Sequence, residues 1–82
     1  MRSQRVIEAA CERCLAILRK HGPMLASELT ERFNEEEWGG LAAGWFAWGL
    51  EVRQVSFCLQ LLRARGLVTS EGQYPTLWGA MA

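Results

Sequence analysis

The chain has no aspartate, one lysine, one histidine and two prolines in 82 residues. There is no aspartate, the one histidine, His21, continues a buried helical stripe, and no glycine-rich phosphate loop follows a strand pattern, so no catalytic residues are expected. No apolar run approaches the roughly 18 residues needed to cross a bilayer, and the N-terminal "MRSQRVIEAACERC" carries charge where a signal peptide needs an apolar core. No membrane partner and a cytoplasmic location are the expectation.

Cysteine is scarce and odd in number. Cys11 and Cys14 stand three apart in "CERC", with Cys58 remote. An odd count in a reducing compartment does not make a disulfide framework, and the helical spacing of Cys11 and Cys14 is not that of a small zinc knuckle completed by His21 and Cys58. The three thiols read as small core hydrophobes, with neither metal nor cofactor expected.

A surplus of positive charge is also missing. Nine basic and nine acidic groups leave a formal net charge of 0. The balance is uneven: residues 1–33 carry +2, residues 34–51 carry −4 from Glu35, Glu36, Glu37 and Glu51, and residues 52–82 carry +2. Phosphate binding draws on clustered Lys and Arg, and the chain shows no such footprint.

Half of the residues are hydrophobic, enough for one modest core in a single domain spanning 1–82. Ile7, Cys11, Cys14 and Leu18 recur at helical spacing and predict a first helix over 3–21, with His21 continuing its buried stripe and "HGP" stopping it. Leu25, Leu29 and Phe33 predict a second helix over 26–33, which lacks a side-chain N-cap. Val52, Val55, Leu59 and Leu62, with Cys58 beside them, predict a long helix over 50–65 closed by Gly66. The period then shortens. "LVTSEGQYPTLW" reads as a hairpin about a glycine turn, and Pro75 confines the second strand to an edge or to a register where its missing amide is not needed.

Between the second and third of these helices lies "NEEEWGGLAAGWFAWG", residues 34–49, with three of the four tryptophans. Asn34 as N-cap and Glu37 three residues on predict a short helix from Glu35 to about Phe46, burdened by Gly39, Gly40 and Gly44 at about 1 kcal/mol each. Trp38, Leu41, Trp45 and Phe46 either enlarge the core, with the glycines making room, or present a binding patch.

In this order the chain resembles the winged helix-turn-helix superfamily. "GPMLASELTERF" looks like the first helix of the helix-turn-helix, "VRQVSFCLQLLRARGLV" like the recognition helix entering the wing, and "GQYPTLWG" like the returning wing strand. The resemblance implies a mainly helical fold of three core helices and a C-terminal β-hairpin, with 34–49 inserted where the family has a short turn. It also implies double-stranded DNA as partner and a small bacterial or phage transcription regulator, acting as a homodimer because one module makes few contacts.

The outward face of the third helix then carries the candidates. Arg53, Gln54 and Gln60 are of the types that reach base edges, and Arg63 and Arg65 would meet phosphates. Phe57 and Leu61 on that face do not suit a groove reader. With Trp45, Phe46 and Trp48 they define the alternative, a winged-helix protein-interaction module such as an adaptor or a small phage-type inhibitor.

Overall fold

A computed structural model describes residues 3–81. Helix α1 spans Gln4–His21, strand β1 Met24–Leu25, helix α2 Ala26–Glu35, helix α3 Leu41–Trp45, helix α4 Val52–Ala64, strand β2 Val68–Glu71 and strand β3 Leu77–Ala80. The three long helices pack on one another, and the small antiparallel sheet, ordered β1-β3-β2, closes one side.

Local chemistry accounts for the helix starts. Ser3 Oγ accepts from the amide of Val6 at 3.4 Å. The α2 start has no oxygen at its N-cap, Leu25, but Glu28 reaches back to accept the Leu25 amide at 3.0 Å. Gln54 does the same for Glu51 at 2.8 Å ahead of α4.

Phe33, Leu18, Leu29, Leu59, Leu62, Val55, Cys11 and Cys14 are the largest fully buried side chains, from α1, α2 and α4. Each large apolar one contributes roughly 1.5–3 kcal/mol of burial. All three thiols lie in this core. Hydrogen bonding to Cys58 and then burial push the Cys11 thiol well above the ordinary thiol range, so it stays protonated.

Several expectations require correction. His21 is exposed, because the buried face of α1 runs through Val6, Ala10, Cys11, Cys14, Ile17 and Leu18 and turns away before the last residue. Val52 is exposed at the first position of α4, where the stripe has not yet met α1. Of the two placements that Pro75 allowed the second hairpin strand, an edge or a register that does not need its amide, the structure takes the second, with the strand at the centre of the sheet. Strand β3 pairs with β2 through Ser70 opposite Trp78, and on its other side with β1 through Met24 opposite Trp78. Pro75 precedes this strand, so its missing amide interrupts no ladder. Strand β1 is too short to leave a period in the sequence.

The insertion departs furthest from expectation. Asn34 does not cap a new helix; it lies within α2, which runs on to Glu35. Its Nδ2 donates to the Leu50 carbonyl at 3.0 Å and its Oδ1 accepts the Leu50 amide at 2.8 Å, so one side chain pairs with the backbone 16 residues away. Helix is therefore confined to Leu41–Trp45. Phe46 is buried, its ring 5.3 Å from Phe33 and 4.3 Å from Trp38 between centroids. The guanidinium of Arg13 on α1 lies 4.4 Å over the Trp38 ring and pairs with Glu36 at 3.2 Å. The segment is thus folded against α1 and α2.

The glycines of the insertion are not equivalent. A Cβ on Gly49, whose φ is +71°, would sit 2.7 Å from Asn34 Oδ1, whereas one on Gly44 meets nothing within 4 Å. The same holds at Gly40, so neither glycine makes room for a packed neighbour. We expect Gly49→Ala to lower unfolding free energy by about 2 kcal/mol or more, from the left-handed backbone and the collision. Asn34→Ala should cost about 1–3 kcal/mol by leaving the Leu50 backbone groups unpaired, while Gly44→Ala should stabilise by up to about 1 kcal/mol. Urea denaturation of the three variants checks the order; a Gly49→Ala protein as stable as Gly44→Ala would refute the clamp.

Candidate nucleic-acid interface

Helix α4 is buried through Val55, Cys58, Leu59 and Leu62, which leaves an outward face with two flanks. The partners of its arginines identify each flank. Arg63 donates from Nη1 to Ser70 Oγ on β2 at 3.0 Å and from Nη2 to Gln60 Oε1 at 2.6 Å, with its guanidinium 5.5 Å over the Trp78 ring. That flank faces the hairpin. Gln60, Arg63 and Ser70 form one polar, accessible cluster along the junction of helix and wing.

Arg65 lies on the other flank. It donates to both carboxylate oxygens of Glu8 on α1, at 3.0 and 2.6 Å. This bidentate geometry holds the Glu8 carboxyl below the usual carboxylate range, chiefly through the hydrogen bonds and secondarily through charge, and raises Arg65. Arg65 is therefore a strut between α1 and α4, and the structure does not bring it to the wing.

The remaining polar candidates sit at the start of α4. Arg53 donates to Glu51 at 2.8 Å, with the two side chains 85% and 67% exposed. Such an exposed pair is weak and leaves the guanidinium available. Gln54 is half-buried and its Oε1 already accepts the Glu51 amide, so it serves as a helix-start residue.

The aromatic candidates separate as well. Phe46 is core and presents no surface. Trp45 is half-buried, edge-on to Phe46, and Leu61 packs against the core. Phe57 is 53% exposed and lies on the α1 flank of α4, while Trp48 is 99% exposed. The insertion covers neither.

Three residues of this edge were not singled out from the sequence as contacts. Ser70 and Trp78 join the cluster only because the β2–β3 register sets them opposite each other beside Arg63. Tyr74, 98% exposed at φ 53°, stands at the wing tip beside Pro75. The dipeptide "YP" after a turn glycine was the available signal for the last.

A helix, a short strand, two packed helices and a hairpin that pairs back to that strand define a winged helix-turn-helix fold. The Zalpha domain from Carassius auratus PKZ in complex with Z-DNA has a similar structure, with a TM-score of 0.68 over 92% of this chain and 97% of that domain, at 17% sequence identity. No family model and no curated protein matches the chain. At that identity the likeness is one of fold.

The Glu8–Arg65 pair has a pH signature. Because the folded-state pKa of Glu8 is lowered, its contribution to stability is fully present above the unfolded value near 4.3 and is lost as pH falls through the lower folded value. Carbon-detected NMR titration should find the Glu8 midpoint below the ordinary carboxylate range, and Arg65→Gln should return it to that range. A Glu8 midpoint within the ordinary range in the unaltered chain would remove the strut.

Proposed function

We propose that this chain is a winged-helix nucleic-acid-binding module, without catalysis, that presents the wing-side edge of α4 and the hairpin to a duplex in a small transcription regulator of bacterial or phage type. The observation that carries this reading is the position of the insertion. It packs on α1 and α2 through Arg13, Phe33, Trp38 and Phe46, so α2 and α4 still pack together and the outward face of α4 stays uncovered. A second support is that a domain of the same fold, matching nearly its whole length, is bound to Z-DNA.

In this reading Arg63 meets a phosphate. It is already extended across Trp78 and steadied by Gln60 and Ser70, so little side-chain freedom is lost on binding. Gln60 retains its amide donors toward the ligand. Arg53 reaches the duplex from the first turn of α4 by exchanging Glu51 for a phosphate or a base edge. Tyr74 adds an exposed ring at the wing tip. With a formal net charge of 0, long-range attraction is small and affinity rests on these contacts.

The salt dependence tests this reading. Two phosphate contacts per chain give a slope of log K against log salt of about −2. Fluorescence anisotropy with a mixed-sequence duplex and an alternating dC–dG duplex held in the Z form should show binding at low salt to at least one of them. Arg63→Ala should weaken the bound form by about 1–3 kcal/mol and reduce the slope by about 1. Arg65→Ala should leave the affinity within about 0.5 kcal/mol, since that side chain is turned to α1. No binding to either duplex at low salt would overturn the function.

A further inference from the structure

The hairpin has no means of pairing with a phosphate by charge. Residues 66–82 hold no Lys, Arg or His, and Glu71 at the end of β2 is their single charged side chain. A carboxylate there repels the nucleic-acid backbone, and the guanidinium at this edge, Arg63, belongs to α4. What the hairpin does project is an aromatic ring. Tyr74 is 98% exposed, and its φ of 53° lies in the left-handed region, where a bulky L residue is an outlier. A residue held there gives up stability, and a ring open to solvent recovers none of it by burial.

The loop keeps that ring in one place. Pairing of β2 with β3 continues out to Glu71 opposite Leu77, so the tip begins directly on paired strands. Thr76 Oγ1 then donates to the Gly72 carbonyl at 3.2 Å and closes the loop across its base. Gly72 turns at φ +79°, where a Cβ would stand 3.0 Å from the Pro75 carbonyl oxygen, so the two sides of the tip are in close contact with Tyr74 between them.

We infer, resting on the nucleic-acid reading, that Tyr74 is a stacking platform for an unpaired nucleobase, and that the preferred ligand of this module is a duplex bordered by unpaired nucleotides. An uncharged ring offers nucleic acid chiefly its face, and a base face is open only where the base has left the paired stack. Stacking of this kind needs no cation and tolerates every base, which is what a wing without Lys or Arg can supply. Reach agrees with this assignment. Ser70, the wing partner of Arg63, is four residues before Tyr74, so the two lie within about 14 Å along the chain. At about 3.4 Å per nucleotide that is about four nucleotides, and one strand can place a phosphate at Arg63 and an unpaired base on Tyr74.

Three DNAs of one sequence test this by fluorescence anisotropy: a blunt duplex, the same duplex with four unpaired adenines at its 3′ or 5′ end, and that overhang with its bases removed as abasic sites. The last two carry equal phosphate, so their difference reports the bases alone. The adenine overhang of at least one polarity should bind at least about fivefold tighter than its abasic counterpart, the low end for one base on an aromatic ring. Tyr74→Ala should bring the two to the same affinity, and Tyr74→Phe should keep the difference. Arg63→Ala should weaken both and keep their ratio. Ring-proton resonances of Tyr74, the single tyrosine of the chain, should move upfield with the adenine overhang and not with the abasic one. Equal binding of all three DNAs overturns the inference and leaves the nucleic-acid reading standing. A preference for adenine that survives Tyr74→Ala also overturns it, as does one lost in Tyr74→Phe, which would assign the contact to the hydroxyl. Absence of binding to any of the three at low salt overturns both.

Discussion

The amide of Asn34 paired with the backbone of Leu50 is the constraint on which the rest of the architecture depends. A winged helix-turn-helix needs its two central helices in contact, and here residues 36–51 separate α2 from α4. An unconstrained loop of that length carries a closure cost of a few kcal/mol. Two hydrogen bonds of 3.0 and 2.8 Å from one side chain close it at its base. Asn suits this position because it offers a donor and an acceptor with the same spacing as a backbone amide. Gly49 is the counterpart, since any side chain there would occupy the place of the Asn34 amide.

Once the base is closed, the direction of the insertion follows from aromatic packing. Phe33 at the end of α2 is completely buried and needs cover on its outer side, and Trp38 and Phe46 provide it at centroid distances of 5.3 Å each. Arg13 then lies across Trp38 and pairs with Glu36, which attaches the loop to α1. The −4 segment is partly neutralised in this way, by Arg13 at one end and Arg53 at the other. The consequence for function is steric: a mass of aromatic residues that could have covered α4 lies elsewhere, and both flanks of that helix stay open.

Those flanks differ in chemistry because α4 is held between unlike neighbours. The hairpin side offers Ser70 and the Trp78 face, and a guanidinium there becomes a polar edge. The α1 side offers Glu8 at one end and apolar Val6, Ile7 and Ala10 at the other. Arg63 and Arg65, two residues apart, accordingly have unrelated roles: one is extended along an accessible edge, the other ties two helices together.

By itself the sequence determined the three long helices, the terminal hairpin and the buried cysteines. These rest on local signals that survive into the fold: a 3.6-residue apolar period, Gly after the last turn, and β-branched residues around a turn. The winged helix-turn-helix class was legible in that order of elements. Only the tertiary structure decided what Asn34 binds, since a capping asparagine and a backbone-clamping one look alike before the chain returns to it. It also decided that β3 is central, because the partner β1 is two residues long and has no period of its own. Trp48 and Phe46 could not be separated by type or spacing; Phe46 is buried because its ring packs against both Phe33 and Trp38, and Trp48, 99% exposed, lies outside that cluster. The same holds for the arginines of α4, whose roles depend on which neighbouring element each flank meets, a property of packing that no window of sequence contains.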